Sequence, residues 1–406
     1  MDYSYVNDFQ RLGFGLFVHY GIYSSLAKGE WAEFAFYPDN QKEYEKLKDS
    51  FLPSPTWAEE LCQCALAAHC RYLILTTRHH DGFSLYDTCG LSDFDAPHSA
   101  CHRDLIREFV EACSRHHLLP VFYHTVIDWH SSLFHEKKWE EYFSYLSRSI
   151  EILCRNYGPV GGFWFDGTWG LPKGVSFPSE IYRMIHLLQP RAIITNNSGL
   201  NALGAKGNSS EIDCVTFERG KPFPVEQCGT RPMAGEVCDS ITDHWGYAIN
   251  DLSQKSPREL VNILLDARGA GCNLALNVGP KGDGTVDFLE QEILRKMGLF
   301  LTTYQDVVLR YPLSQKKAEN AELYQNGNTY YAVIRNVKMV LDQNVTFGDE
   351  KRTVRFQGFK GKDGYWLDNH EPLDWNEDRQ GFKVRPFRYG TSLGARIAVF
   401  EGEEKE

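Results

Sequence analysis

Short apolar runs alternate with amphipathic stretches from the N-terminus to about residue 300. The run "FGLFVHYG" at 14–21 reads as a strand. Thr56 and Glu59 have the spacing of a capping box, which starts a helix expected to run to the Cys70 region and to lead into the strand "YLILTT" at 72–77. Helices are expected near 104–116, 139–156, 179–188 and 257–268, and each precedes an apolar run: "LPVFYHT", "GGFWFDG", "RAIITNN" and "CNLALNVG". Strand and helix alternating over this length implies a parallel sheet, as a (β/α) barrel or a doubly wound sheet.

The residues at the strand ends decide between them. The apolar runs end in His19, in "RHHDG" at 78–82, in "YHT" at 123–125, in Asp166, and in Asn196 and Asn197. Polar, chemically capable residues at the C-terminal strand ends are what a barrel active site requires. A dinucleotide-binding sheet calls for a glycine-rich turn after its first strand, and "HYGIYSS" is not one. After about residue 310 the pattern changes to period-two alternation in "NTYYAVIRN", "KRTVRFQGF", "GYWLDNHEP", "GFKVRPF" and "ARIAVFEG". The expected fold is α/β: a TIM-like (β/α) barrel over residues 1–309, then a C-terminal antiparallel β-sandwich over 310–406 that ends in a frayed acidic tail, "EGEEKE".

In "GGFWFDGTWG" one carboxylate closes an apolar strand. Alternate strand residues share a face, so Trp164 and Asp166 point one way and Phe163 and Phe165 the other. The acid therefore sits beside an aromatic platform, on the side where the other polar strand ends gather. Glycoside hydrolysis needs a second carboxyl group. The candidates are Glu218 in "CVTFERGKP" and, as a fallback, Glu236 in "MAGEVCD". Adjacent histidines on a regular strand face opposite ways, so His79 and His80 serve one site only if the chain is already turning, which Gly82 permits. With Asp81, His19 and His124 they also raise a zinc site, but the tight His-x-His spacing or strand-end lysine that would support it is missing. Glu30 and Trp31 come after the first strand, and Trp245 lies in "TDHWGY"; these tryptophans suit a lid over the barrel mouth or a place in the core.

Composition narrows the partner. Of 406 residues 42% are hydrophobic and 24% charged, as in a soluble globular protein, while 14% are aromatic, a mild pointer to flat-ligand recognition. A net charge of -11 argues against nucleic acid and anionic membranes. Eleven scattered cysteines without a CxxC, no leader-like start and no long apolar run point to a reduced, cytoplasmic protein without a membrane span.

The blocks "RLGFGLFVHYGIYS", "GEW", "YLILTTRHHDGFSLYDT", "VFYHTVIDWH", "GFWFDG" and "NLALNVGPKGDGTV" together resemble glycoside hydrolase family 29, the α-L-fucosidases, over residues 10–290. The resemblance implies a retaining, exo-acting hydrolase of terminal α-L-fucose on oligosaccharides or glycoconjugates, with no cofactor and no metal. It makes Asp166 the nucleophile and Glu218 the acid/base. It places His19, Glu30, Trp31, His79, His80, Tyr123 and Trp164 around the fucose, and Trp245 against its C5 methyl. The sequence departs from the family pattern at Tyr20 in "HYG", at His124 in place of the common Ser, and at "NNSG" in place of an Arg after the fifth strand. A non-catalytic glycan-binding protein on the same scaffold, with Asp166 as a hydrogen-bond acceptor, and a metal-dependent barrel hydrolase are the alternatives.

Overall fold

The structure, a computed structural model, describes residues 2–207, 209–227, 231–341 and 350–404. Eight parallel strands close into a barrel: β1 (Phe14–Val18), β2 (Tyr72–Arg78), β3 (Leu119–Thr125), β4 (Gly162–Asp166), β5 (Ile193–Asn196), β6 (Cys214–Glu218), β7 (Ala234–Ser240) and β8 (Asn273–Val278), with β8 pairing back to β1. The strand order follows the chain, as a barrel requires and a doubly wound sheet does not. Helices Trp57–Ala67, Leu105–Arg115, Trp139–Asn156 and Ser179–Leu188 fill the expected places.

The barrel interior is packed in layers. Helix Ser4–Gln10 brings Tyr5, Val6 and Phe9 into one apolar cluster with Tyr72, Val121, Ile193 and Ala234, and the layer above holds Phe17, Tyr123, Trp164 and Cys238. Gly15 in β1 has no side chain because the Tyr72 ring occupies that space; a Cβ there would lie 2.4 Å from ring carbons. The alternation along β4 holds. Trp164 joins the interior cluster, whereas Phe163 and Phe165 face the surrounding helices, Phe165 against Phe177 and Tyr182.

Three local expectations need correction. Thr56 does begin a helix, but its hydroxyl donates to Glu60 Oε1 (2.7 Å) and Glu59 pairs with Arg115 and His116, so no capping box forms there. Ser256 and Glu259 form one instead, at the start of helix Pro257–Gly269. His124 has the parity opposite to Tyr123 and so leaves the barrel interior: it donates from Nδ1 to the Thr125 carbonyl and lies 3.4 Å from the Tyr86 hydroxyl. The acidic C-terminus is strand through Glu404, and Lys405 and Glu406 lie outside the described residues.

Packing divides the chain into Met1–Lys255 with Cys272–Leu294, and Ser256–Gly271 with Arg295–Glu406. In the second unit, strands Glu322–Asn326, Thr329–Arg335, Ala395–Glu404 and Phe359–Trp366 form one antiparallel sheet. Asp374–Trp375, Gly381–Lys383, Thr353–Phe356 and Ala318–Glu319 form another. Ala332, Ile334, Trp366 and Phe400 of the first meet Val354, Phe356 and Phe382 of the second in one core, which makes a sandwich. Cys62, Cys64, Cys70, Cys89, Cys101, Cys113, Cys154, Cys214 and Cys238 are free thiols, and Cys228 lies outside the described residues.

The turn after β2 carries a stability prediction. Gly82 has φ +79°, and a Cβ there would sit 2.5 Å from Asp128 Oδ1 and 2.6 Å from His130 Cβ. Asp128 is held by the His130 and Ser131 amides, so it cannot easily withdraw. Gly82→Ala is expected to destabilise the protein by about 1–3 kcal/mol, read as a lower Tm, because both left-handed backbone and contact oppose it.

Candidate active site

A cavity of about 710 Å³ opens at the C-terminal ends of the barrel strands. Asp166, the last residue of β4, reaches it with Trp164 immediately below. Its carboxylate accepts from Tyr123 Oη on Oδ2 (2.9 Å) and from Trp169 Nε1 (3.1 Å) and Asn197 Nδ2 (3.1 Å) on Oδ1. Three neutral donors converging on one carboxylate fix its orientation.

Glu218 closes β6, and its Oε2 accepts from the same Asn197 Nδ2 at 2.8 Å. With one nitrogen 3.1 Å from the first oxygen and 2.8 Å from the second, those two carboxylate oxygens are no more than 5.9 Å apart. Burial holds the Glu218 carboxyl above its ordinary pKa; the Asn197 hydrogen bond opposes this and the Asp166 charge adds to it. The amide thus bounds the spacing of the pair and moderates the rise in the Glu218 pKa.

Glu236 does not reach the cavity. In the β6–β7 register Glu218 pairs with Cys238, and Glu236 pairs with Thr216, one interior layer deeper. There it is fully buried and accepts from Tyr72 Oη (2.6 Å) and Trp164 Nε1 (3.0 Å). Burial pushes its pKa up to about 7 against those two hydrogen bonds. The fallback carboxylate is a brace beneath Trp164 instead of a wall of the site.

All eight remaining sequence candidates line the cavity: His19, Glu30, Trp31, His79, His80, Tyr123, Trp164 and Trp245. The chain does turn after β2, and the ring centroids of His79 and His80 lie 4.2 Å apart. Hydrogen bonding assigns two of the imidazole tautomers. Asn277 gives both its amide hydrogens to Ser240 Oγ and the Trp245 carbonyl, so its Oδ1 accepts from His19 Nδ1 at 2.7 Å. Thr125 donates to the Ile127 carbonyl, so its oxygen accepts from His80 Nδ1 at 2.6 Å. Each Nε2 is then a bare lone pair. Burial pushes the His19 pKa down to about 4, holds His79 well below its ordinary value, and lowers His80 despite the nearby Asp166. The 3.5 Å approach of His80 Nε2 to Asp166 Oδ2 is therefore a neutral ring beside a carboxylate, not an ion pair.

Glu30 is spent partly on architecture. Its Oε2 accepts from the Trp245 and Gly246 amides (3.1 and 2.8 Å), which ties the loop after β7 to the loop after β1, and burial raises its pKa against those bonds. Trp245 packs on Phe17 and His19, with the Arg219 guanidinium 4.7 Å over its ring. Among the described residues no group of three or more His, Cys, Asp and Glu side chains is placed to hold a metal ion.

Asn197, Trp169 and Arg219 also line the cavity. The signal for Asn197 is parity. Ile193 faces the interior, so Thr195 and Asn197 follow it inward while Asn196 turns away to Thr168. Trp169 and Arg219 sit in turns, one after Gly167 at φ +88° and one itself at φ +49°, where period-two reasoning has no purchase.

Comparison with known proteins identifies the family and the fold. Residues 2–306 match the family model described as alpha-L-fucosidase. The chain is 25% identical over 388 residues to the tissue alpha-L-fucosidase of Macaca fascicularis, covering 86% of this chain and 80% of that one. Among solved structures, alpha-L-fucosidase isoenzyme 1 from Paenibacillus thiaminolyticus superposes with a TM-score of 0.82 at 25% identity, covering 98% of this chain and 99% of the other. A GH29 alpha-L-fucosidase from Bacteroides thetaiotaomicron shares the fold, with a TM-score of 0.80 at 21% identity over 100% of this chain and 96% of that one.

Proposed function

The chain belongs to the α-L-fucosidase family of glycoside hydrolases, and from that premise we propose that it removes terminal α-L-fucose from oligosaccharides or glycoconjugates, exo-acting and with retention, through a covalent glycosyl-enzyme intermediate. The observation that carries the reading is the shared Asn197 bridge. Carboxyl groups about 5–5.5 Å apart suit a nucleophile and an acid/base, whereas inversion needs about 6.5–9.5 Å to admit a water. An Asp166–Glu218 oxygen separation of at most 5.9 Å falls short of the second range.

Asp166 attacks the anomeric carbon from the face opposite the leaving group, and Glu218 gives its proton to the departing glycosidic oxygen. Water then attacks the same carbon, Glu218 takes its proton, and the bond to Asp166 breaks. The overall change is addition of water across one glycosidic bond. The burial that raises the Glu218 pKa favours its protonated form, as an acid requires. The neutral rings of His19 and His80 accept from sugar hydroxyls, and the aromatic floor of Phe17 and Trp164 suits an apolar sugar face. A cavity closed at its deep end by those rings favours a terminal residue over a chain threading through.

The test is the anomer released first. Proton NMR of an early time point with an aryl α-L-fucoside is expected to show α-L-fucose before mutarotation; initial β-fucose would overturn the mechanism. A second expectation concerns pH. Glu218 must be protonated to act as acid, so kcat/KM falls as pH rises through its pKa. Asn197 stabilises the carboxylate form, so Asn197→Ala is expected to raise that pKa and move the alkaline limb to higher pH, with kcat reduced about 10- to 100-fold as Asp166 and Glu218 lose their tether. A limb moving to lower pH would contradict it.

A further inference from the structure

β6 ends in Glu218, and the next residue, Arg219, reaches over the neighbouring loop. Its amide still donates to the Cys238 carbonyl of β7 (2.9 Å), but its backbone is left-handed, with φ +49°. Left-handed backbone strains any residue that has a Cβ, and glycine relieves the strain. The chain places its glycine one residue later, where a Cβ on Gly220 would lie 2.2 Å from Leu203 Cδ1. A strained arginine next to the acid/base candidate points to a use for its side chain.

That side chain spans two strand ends. Its Nη2 donates to the Asp243 carbonyl at 2.6 Å, and its guanidinium lies 4.7 Å from the centre of the Trp245 ring. Asp243 and Trp245 belong to the loop after β7. The Trp245 backbone is held from other directions, its amide by Glu30 Oε2 and its carbonyl by Asn277 Nδ2. Its indole packs on Phe17 and His19, and Arg219 adds the contact from the β6 side.

Among the described residues that line the cavity, Arg219 carries the one permanent positive charge, against the carboxyl groups of Glu30, Asp166, Glu218 and Asp243. Several charged and titratable groups bear on Glu218. Asp166 of β4 and Glu30 of the loop after β1 disfavour its carboxylate form, and Cys238 of β7 faces it as a neutral thiol. Arg219 favours the carboxylate, as does the Asn197 hydrogen bond. When Glu218 gives its proton to the leaving oxygen a carboxylate forms there, and a cation already in place stabilises it without reorganisation.

We propose that Arg219 is a positioning residue for the reaction: it clamps the Trp245 loop to the strand end that carries Glu218, and it supplies the fixed positive charge that balances the carboxyl groups around the acid/base. This rests on the fucosidase reading above. The two roles separate. Lysine keeps the charge but lacks the planar face that stacks on an indole, and glutamine keeps a donor for the carbonyl but has no charge.

The experiment is the pH profile of kcat/KM on two substrates: methyl α-L-fucoside, whose alcohol must be protonated as it leaves, and α-L-fucosyl fluoride, whose fluoride departs without that help. Loss of the clamp is expected to lower kcat/KM on both substrates together, by about 3- to 10-fold in Arg219→Lys and in Arg219→Gln. Loss of the charge raises the Glu218 pKa. The alkaline limb for methyl α-L-fucoside should therefore move to higher pH in Arg219→Gln and stay at its wild-type position in Arg219→Lys, with no such movement in the fluoride profile. Arg219→Gly suits the left-handed backbone, so its Tm should equal or exceed that of Arg219→Gln while its limb moves the same way, which separates the charge from the fold. A limb that stays in place in Arg219→Gln and Arg219→Gly, or moves as far in Arg219→Lys, would overturn this proposal and leave the fucosidase reading standing. Failure of the wild-type protein to turn over either substrate would overturn both.

Discussion

Asp166→Gly is expected to abolish hydrolysis of an aryl α-L-fucoside, with kcat reduced roughly 10⁴- to 10⁶-fold, because no other carboxylate stands at its position to form the glycosyl ester. Glu218 is on the other side of the Asn197 amide, and Glu236 is a layer deeper under Trp164. The change also removes the charge that helps to hold the Glu218 pKa up, so any residual activity should lose its alkaline limb at lower pH than the wild type. Azide can enter the space left by the carboxylate and attack from the nucleophile's face. The product expected from Asp166→Gly with azide is therefore β-L-fucosyl azide, identified by NMR. Near-wild-type turnover would dismiss Asp166 from the nucleophilic role.

Glu218→Ala is expected to behave differently with each leaving group. A natural sugar alcohol needs protonation as it departs, so kcat/KM on a fucosylated oligosaccharide should fall about 10²- to 10⁴-fold. An aryl fucoside, whose phenolate leaves readily, should form the intermediate at a closer to normal rate and then stall for want of a base. Azide attacks that intermediate from the opposite face, so rescue here yields α-L-fucosyl azide. The paired outcome, β-azide from one variant and α-azide from the other, assigns both carboxyl groups. Glu236→Gln, which keeps the size and an acceptor for Trp164, should change activity by less than about tenfold and give no azide product. Rescue of Glu236→Ala but not of Glu218→Ala would transfer the acid/base role.

The barrel was legible because its first five strands each announce themselves twice, by an apolar run and by the polar residue that ends it, whereas β7 does not read as a strand at all. His19, the His79–His80 pair, Tyr123, Asp166 and Glu218 all sit at such ends, and all reach one cavity. Parity along β4 was enough to set Trp164 and Asp166 on the inner face. Depth is a different quantity. Glu218 and Glu236 both point inward from neighbouring strands, and only the stagger of β7 against β6 makes one a wall and the other a brace. That stagger depends on pairing between distant segments, which a linear pattern does not encode. The Asn197 bridge has the same origin: its parity could be read, but its reach to two carboxylates comes from the adjacency of β4, β5 and β6. Trp169 and Arg219 lie in turns whose left-handed residues break the strand period. The capping box misled because Thr56-x-x-Glu59 and Ser256-x-x-Glu259 share one pattern, and what breaks the first lies far along the chain: Glu59 is drawn away by Arg115 and His116.

The covalent intermediate on Asp166 is the centre of the account, and trapping it is the most direct measurement. Incubation with 2-deoxy-2-fluoro-α-L-fucosyl fluoride, and then intact-mass and peptide mass spectrometry, should show one added fluorofucosyl group, on the peptide that contains "GGFWFDGTWG" and on Asp166 itself. The adduct should be absent in Asp166→Gly. A wild-type protein that turns over α-L-fucosides while gaining no mass, or that carries the label on another residue, would contradict it.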